Sequence, residues 1–357
     1  MSRNMANGRV RAASAGCRLP LFPDVEACPP FGRLADASSL FEDPLLGELL
    51  ESRPVQRLRR IGFLGAVDRM QSRNRHNRYD HSVGVARLAL LYARKRELSQ
   101  HDTRLLAVAG LLHDVGHGPL SHTLEPVFRS RFGISHHKIG FQIIRGASAL
   151  GPEIPEVLAR YGLDPDEVVA MIGGAHPGRH AFLFSSPINL DTIEGITRCR
   201  SVFMKDPAVV VSAEAIVHAI AASDTLPAQV LDSFWLLKDD IYNSIIHHRM
   251  GLLYDGLAQA IAAHDTGGLT PKDFLKDEKQ LRRSKPRLFA FLDWVRQSPA
   301  KLREALPASI LGHEIAAPTR TFECNTSIGL KTSVDLVGRY TQILTFRRVP
   351  IDDLLPV

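Results

Sequence analysis

This chain has few cysteines, no long apolar run and no excess of acidic charge. Its 357 residues include four cysteines, and no two of them form a CxxC pair. This spacing indicates neither a disulfide framework nor a cysteine zinc site, and it is typical of a reducing, cytoplasmic location. No uninterrupted apolar run in the sequence approaches the roughly 20 residues that span a membrane. We therefore predict no membrane partner.

The charge balance favours anionic partners. Lysine and arginine number 44 against 38 aspartate and glutamate residues, which gives a formal net charge of +6. A positive surface attracts nucleotides and other phosphates, although many ordinary proteins carry such a charge. Nucleic acid is an open alternative that no particular motif indicates.

Composition and periodicity divide the chain into three parts. Residues 1–38 are predicted to form a flexible basic tail, with an organelle transit peptide as the alternative. Residues 39–264 show apolar side chains at helical spacing and few strand signals, which predicts a helical domain. Residues 265–357 combine a basic stretch, one apolar helix and two segments with strand alternation, 320–324 and 340–349. They predict a small mixed α/β appendage in which we find no chemistry.

The chemistry is concentrated between residues 111 and 122, in the stretch LLHDVGHGPLSH. The preceding run, residues 105–112, is almost entirely apolar and predicts a buried helix. Burying His113 and Asp114 at its end is costly unless a cation binds them, and imidazole with carboxylate suits Mn, Fe or Zn. Ser121 is expected to cap a new helix, whose N-terminus would attract a phosphate.

Two further polar side chains are expected near this pair. Asp80 is predicted to cap a helix that holds His81 in its first turn, on the apolar face. A single inward histidine is usually a hydrogen-bonded core residue, and the His-Asp pair favours a ligand instead. Residues 186–187 are predicted to open the helix that carries Asp191, with open space beside Gly195 one turn along. A surface acid is the alternative for Asp191.

In order and spacing, these residues resemble the HD superfamily of metal-dependent phosphohydrolases, whose pattern is H…HD…D. The resemblance runs from about residue 41 to 262 and points to the branch that contains the deoxynucleoside triphosphohydrolases. It implies a mainly α fold, an HD-domain helical bundle with a small mixed α/β C-terminal appendage. The segments that carry it are EDPLLG, QRLRRI, RYDHSVGV, HDVGHGPLSH and FWLL.

The resemblance also implies the site residues and the cofactor. The metal would be a divalent transition ion, Mn, Fe, Ni or Zn, with Mg on the substrate phosphates as an option, and relatives often form oligomers. The implied metal ligands are His81, His113, Asp114 and Asp191. The residues implied to touch phosphate, to move protons or to orient those that do are Arg78, His117, His122, Glu125 and His137.

Four positions depart from the pattern of that branch. Phe63 stands where a glutamine contacts the sugar, and the residues in place of a lysine, a tyrosine and an aspartate that contact phosphate or sugar are Thr192, Gly195 and Cys199. Phe63 cannot form the hydrogen bonds that recognise a hydroxyl. We therefore predict a phosphohydrolase of a nucleotide or related phosphate ester. The alternatives are a deoxynucleoside triphosphohydrolase with altered sugar contacts and a non-catalytic nucleotide or nucleic-acid sensor.

Overall fold

A computed structural model describes residues 9–11, 42–70, 76–203, 211–222, 225–264, 268–297 and 301–355. Over these residues the fold is mainly α, as predicted. The tail predicted for residues 1–38 lies outside the described residues, apart from strand β1 at Arg9–Arg11. Within the described part, no helix is both long and apolar enough to cross a membrane.

Helices build the body of the molecule up to residue 264. In the described residues, helices α1 to α10 are Pro44–Glu51, Arg53–Arg57, Arg78–Lys95, Gln100–Leu112, Glu125–Phe132, His136–Ile144, Glu153–Arg160, Pro165–Ile172, Phe182–Ser185 and Leu190–Phe203. Helices α11 to α13 are Ala213–Ile220, Ala228–Ile241 and Arg249–His264. Short 3-10 turns at Leu58–Arg60 and Val67–Met70 and a π turn at Tyr242–Ile246 lie between them.

The remaining elements form the C-terminal part. After a 3-10 turn at Pro271–Leu275, helices α14 to α19 are Glu278–Ser284, Pro286–Gln297, Leu302–Ala305, Ala308–Leu311, Asp335–Arg339 and Ile351–Leu354. Strands β2 and β3, Glu314–Asn325 and Tyr340–Pro350, pair in antiparallel fashion, and β1 pairs with the other edge of β2. Both predicted strand segments lie inside β2 and β3.

Contacts join the C-terminal part to the helical body. The Trp235 indole on α12 donates to the Glu323 carbonyl on β2 at 3.1 Å. In a second contact, the backbone N–H of Gly62 donates to the carboxylate of Glu278 on α14 at 2.8 Å. The boundary predicted at residue 264 follows the end of α13, and the division into domains stays a prediction.

The two central helices, α3 and α4, are packed unusually closely. A Cβ atom added at Gly110 of α4 would lie 3.1 Å from the Ala86 Cα of α3. Any larger residue at position 110 would require the two helices to separate by a few tenths of an ångström. The close packing brings His81 of α3 next to the end of α4.

The helices that carry His81 and Asp191 begin at asparagines, which corrects the predicted caps. Asn77 caps α3 by accepting from the Asp80 backbone N–H at 2.8 Å, so Asp80 is not the cap. Asn189 accepts from the Thr192 backbone N–H at 2.8 Å before α10. The predicted cap of α10, Ser186, instead donates to the Ile188 carbonyl at 2.6 Å. Asparagine caps a helix as well as serine or aspartate does. Asn77 and Asn189 directly precede the first turns of α3 and α10.

The helix predicted to start at Ser121 begins four residues later, at Glu125. Leu120 and Ser121 have positive φ values of 59° and 45°, so they form a turn and cannot start a helix. The Ser121 hydroxyl donates to the Gly62 carbonyl at 2.5 Å and accepts from Arg78 Nε at 3.0 Å. It therefore fixes the loop after α4 against the start of α3.

Candidate metal centre

The four predicted metal ligands meet at one point, which we call the metal centre. His81 comes from α3, His113 and Asp114 follow α4, and Asp191 lies in the first turn of α10. The Nε2 atom of His81 is 3.1 Å from His113 Nε2 and 3.0 Å from Asp191 Oδ1. The Oδ2 atom of Asp114 is 3.5 Å and 3.4 Å from the same two histidine nitrogens.

The other ring nitrogens of the two histidines are held by acceptors. His81 Nδ1 lies 2.5 Å from Glu194 Oε2, and His113 Nδ1 lies 2.8 Å from the Gly110 carbonyl. Because these partners accept hydrogen bonds, the neutral rings carry their protons on Nδ1. Their Nε2 lone pairs then face each other and two carboxylate oxygens. This donor set of two imidazoles and two carboxylates fits a divalent transition metal.

The charged groups of the metal centre shift one another's pKa values. Burial opposes the charged form of His113, but the carboxylates of Asp114 and Asp191 outweigh burial and raise the His113 pKa to about 9. Burial also opposes the charged form of Asp114, yet Arg78 and His113 hold the pKa of this carboxyl well below its ordinary range. The centre therefore favours a positive charge at its middle, which a metal ion or a proton supplies.

Glu194, which the sequence analysis did not single out, supports the metal centre. It lies on α10 and is almost fully buried between His81 and Arg198. Arg198 Nε donates to Glu194 Oε1 at 2.9 Å, and Arg198 Nη2 donates to the Asp80 carbonyl at 2.9 Å. The spacing in the sequence could have indicated this role. Glu194 follows Asp191 by three residues and Arg198 follows Glu194 by four, which places the three side chains on one helix face.

Arg78, predicted to clamp a phosphate, is placed beside the metal centre. Its side chain is only 4% exposed, and its Nη1 donates to Asp114 Oδ2 at 2.6 Å. The guanidinium also lies 4.8 Å from the centre of the Phe63 ring. Arg78 thus neutralises one carboxylate of the centre and is fixed by Ser121 on its other side.

Three more histidines gather next to Asp114, and we call them the histidine cluster. His117 follows α4, His122 precedes α5 and His136 opens α6, with one ring nitrogen of each lying within 4.8 Å of the others. The rings of His117 and His136 stack at 4.1 Å, and His122 meets His117 edge-on at 4.6 Å. Burial lowers the pKa of His117, which keeps this ring neutral.

Glu125 orients this cluster, as the resemblance implies for one of its histidines. Its Oε2 lies 3.3 Å from His122 Nδ1 and 2.9 Å from His136 Nδ1. His137 is exposed and lies outside the cluster, with its ring 4.0 Å from that of His136. The cluster thus contains His136, which the sequence analysis did not name, and the role predicted for His137 stays a prediction.

Comparison with known proteins agrees with this arrangement. The HD domain profile matches residues 78–179, which contain the histidine cluster and three of the four residues of the metal centre. The chain contains an HD domain. Asp191 lies beyond the matched residues, on the helix that completes the centre of this HD protein.

Curated relatives are similar over part of their length. Human "Deoxynucleoside triphosphate triphosphohydrolase SAMHD1" is 32% identical over 143 residues, which are 36% of this chain and 22% of the relative. The Danio rerio protein of the same name is 39% identical over 92 residues, 24% of this chain and 15% of the relative. "Uncharacterized protein YwfO" of Bacillus subtilis is 29% identical over 185 residues, 47% of this chain and 41% of the relative. The chain thus spans less than half the length of each.

The open space predicted beside Gly195 in this HD protein is filled, which corrects the sequence analysis. A Cβ atom added at Gly195 would lie 3.2 Å from the Phe63 Cζ and 3.8 Å from His81 Cε1. The Phe63 ring is buried, with its centre 4.6 Å from that of the His81 ring. Two positions that depart from the triphosphohydrolase pattern therefore touch each other.

Proposed function

We propose that this HD protein is a metal-dependent phosphohydrolase that cleaves a nucleotide or a related phosphate ester. The observation that carries the proposal is the convergence of Asp191 Oδ1 and Asp114 Oδ2 on the Nε2 atoms of His81 and His113. The two nitrogens are 3.1 Å apart, and each carboxylate oxygen lies 3.0 to 3.7 Å from both of them. Four electron-rich groups repel one another at this range unless a cation lies among them. We further propose Mn, Fe, Ni or Zn as the ion and a cytoplasmic location for the protein.

The roles of the chain's own residues follow from their contacts. His81, His113, Asp114 and Asp191 would hold the ion, which when bound polarises a phosphoryl oxygen and lowers the pKa of a water molecule. Glu194 fixes the ring of His81 so that Nε2 faces His113 and Asp191. Arg78 stands beside Asp114 with a guanidinium that is suited to phosphate oxygens.

For the substrate we propose a chemical class, a nucleotide or related phosphate ester, and no single compound. A nucleotide is supported by the relatives named as deoxynucleoside triphosphate triphosphohydrolases. The contact between Phe63 and the Gly195 position supports a different way of recognising the sugar. The second candidate is a deoxynucleoside triphosphohydrolase with altered sugar contacts, which those same relatives favour. A self-associated form of the protein is part of the proposal, with no fixed number of chains.

The test uses the purified protein loaded with Mn or Fe. It is incubated with ribo- and deoxynucleoside mono-, di- and triphosphates and with simple phosphate esters, and products are separated by chromatography. The matched control is Asp191→Asn, because this side chain is 51% exposed and its replacement should leave the fold intact.

We expect a metal-dependent product from the native protein that is absent with Asp191→Asn. Release of tripolyphosphate from a deoxynucleotide would identify the second candidate, and release of orthophosphate would identify a different bond. No turnover of any substrate by protein that holds its metal would contradict the proposed function and favour a sensor.

A further inference from the structure

Arg320, on strand β2 of the C-terminal part, has no carboxylate partner among the described residues. Its guanidinium carbon lies 4.4 Å from the centre of the Tyr242 ring. Its Nε atom is buried and forms no hydrogen bond within the described part of the chain. Burying a polar group without a partner is unfavourable, and more so for a charged group. The unpaired guanidinium therefore points to an anion that binds it.

Two arginines beside the metal centre, Arg78 and Arg198, differ from Arg320 in this respect. Arg78 Nη1 donates to Asp114 Oδ2 at 2.6 Å, and Arg198 Nε donates to Glu194 Oε1 at 2.9 Å. The charges of these two side chains are thus matched by carboxylates of the chain. The charge of Arg320 is left unmatched by the described residues, and a phosphate group would supply the missing partner.

The backbone next to Arg320 is also irregular. Tyr242 opens the π turn Tyr242–Ile246, which lies between α12 and α13. Such turns are rare and are frequent at functional sites. The His247 ring lies 5.3 Å from the Tyr242 ring, and its Nδ1 atom is buried without a partner in the described structure. Two unpaired polar groups therefore lie beside the same aromatic ring.

Lys238, one turn before Tyr242, links this place to the metal centre. Its side chain is almost fully buried, and its Nζ donates at 2.8 Å to the carbonyl of Pro187, four residues before Asp191. Burial and the Arg320 guanidinium lower the pKa of Lys238 to about 7, against the Asp191 carboxylate, which raises it. The charge of Lys238 thus interacts with both Arg320 and the metal centre. An anion beside the two cations would offset their repulsion.

We propose that Arg320 binds a phosphate group of the substrate beyond the one that is cleaved, so that strand β2 completes the active site. A guanidinium presents several N–H donors that match phosphate oxygens. The Tyr242 ring supports it through a cation–π contact, and Lys238 adds positive charge that is held in place by Pro187. The inference rests on the proposed function, because this phosphate belongs to the substrate of the metal centre. It gives a role to a part of the chain in which the sequence analysis found no chemistry.

The position of Arg320 also narrows the substrate class. A nucleoside monophosphate offers its one phosphate group to the metal centre and leaves none for Arg320. A substrate with two or more phosphate groups reaches both places. We therefore expect nucleoside di- and triphosphates to be preferred over monophosphates.

The test uses the full chain loaded with Mn²⁺ and two probes, inorganic tripolyphosphate and orthophosphate. Isothermal titration calorimetry measures the affinity of the protein for each probe. The variants are Arg320→Gln, which removes the charge, and Arg320→Lys, which keeps the charge but loses the fork of donors. The matched control is Arg347→Gln, at an exposed position on the neighbouring strand β3. Circular dichroism verifies that each variant is folded, and elemental analysis verifies that it retains Mn²⁺.

We expect Arg320→Gln to weaken tripolyphosphate binding by about 10- to 100-fold, Arg320→Lys to weaken it by less, and Arg347→Gln to leave it unchanged. Orthophosphate, which occupies only the metal centre, should bind all four proteins with similar affinity. Equal affinity of the native protein and Arg320→Gln for tripolyphosphate would overturn the inference. An equal loss of both probes in Arg320→Gln would also overturn it, because the side chain would then have only a structural role.

Hydrolysis tests the proposed function separately. Native protein that binds tripolyphosphate through Arg320 but hydrolyses no phosphate ester would contradict the proposed function and leave Arg320 as a phosphate ligand. Native protein that hydrolyses a nucleotide but binds tripolyphosphate no better than orthophosphate would overturn the inference and leave the proposed function standing.

Discussion

The metal centre and the histidine cluster are built with the same supporting device on opposite sides of Asp114. In each, a glutamate contacts histidine Nδ1 atoms and pairs with an arginine four residues further along its helix: Glu194 with Arg198, and Glu125 with Arg129. The first pair is buried, whereas Arg129 is 65% exposed. One support is enclosed by protein, and the other faces solvent.

This difference in burial indicates how the two sites should behave. A buried ion pair holds its partners in one geometry, whereas an exposed pair contributes little and is screened by salt. The metal centre should therefore be rigid and bind its ion tightly. The histidine cluster has one exposed ring, His122, and should admit a substrate more readily.

Replacing Asp114 should have the largest effect, because this residue faces both sites. We expect Asp114→Asn to lower hydrolysis by at least about a thousandfold, since metal activation supplies several kcal/mol. It should also lower the affinity of the metal centre for its ion, because the centre loses a charged oxygen. Asp191→Asn should weaken metal binding too, but it should leave the histidine cluster unchanged because Asp191 contacts only the metal centre. Metal titration and the histidine NMR signals of both variants check this, and equal changes at the cluster signals in Asp191→Asn would break the distinction.

The two glutamates allow a matched test of the supports. Glu194→Gln should weaken metal binding at the metal centre by roughly 10- to 100-fold, the usual effect of losing such a partner. Glu125→Gln should leave metal binding at the metal centre unchanged, because Glu125 contacts only the histidine cluster. Titration with Zn²⁺ measures the affinity of both variants. Normal affinity in Glu194→Gln would show that this carboxylate only packs against the His81 ring.

Much of this arrangement could be predicted from local sequence. The buried apolar run before His113 and Asp114, and the inward face of the helix that carries His81, follow from helical spacing within one segment. The strands 320–324 and 340–349 follow from alternation. These features depend on neighbours in the chain, and a single sequence contains that information.

The contacts that depend on distant segments could not be predicted. Glu194 meets His81 across 113 positions of sequence, and Phe63 fills the space beside Gly195 from another segment. The helix caps were misplaced for a related reason: serine, aspartate and asparagine all cap well, and the surrounding fold decides which one is used. The metal-ligand assignments from the resemblance stay predictions.

The loop that carries the histidine cluster is anchored from outside by Asp255 of α13. The Thr123 hydroxyl donates to Asp255 at 2.6 Å and accepts from the Ala66 backbone N–H at 2.9 Å. Burial raises the Asp255 pKa from 3.8 to about 7. Between these values the folded protein keeps a proton that the unfolded chain releases, so this group lowers the free energy of unfolding as the pH rises.

Asp255→Asn should therefore stabilise the protein, by up to about 4 kcal/mol at pH 8 and by almost nothing below pH 4. The asparagine oxygen still accepts from Thr123, so the anchor is kept. Urea unfolding of both proteins across this pH range measures the difference between their free energies of unfolding at each pH. The contributions of the titrating groups that both proteins share cancel in this difference. Asp166→Asn, at an exposed position, is the control. A gain that does not change with pH would argue against a buried neutral Asp255.

The smallest expected effect concerns the contact between Phe63 and Gly195 beside the metal centre. Phe63 and Gly195 touch, and the resemblance implies a glutamine and a tyrosine at these positions. Gly195→Tyr alone should clash with the Phe63 ring, and Phe63→Gln alone should leave a void beside His81. The double variant should remove both the clash and the void, and it adds hydrogen-bonding groups. We therefore expect its kcat/KM for a deoxynucleoside triphosphate to be roughly tenfold higher than that of either single variant. Kinetics of tripolyphosphate release measure this ratio, with metal content as the control. Simple addition of the two single effects would show that the contact does not govern sugar recognition.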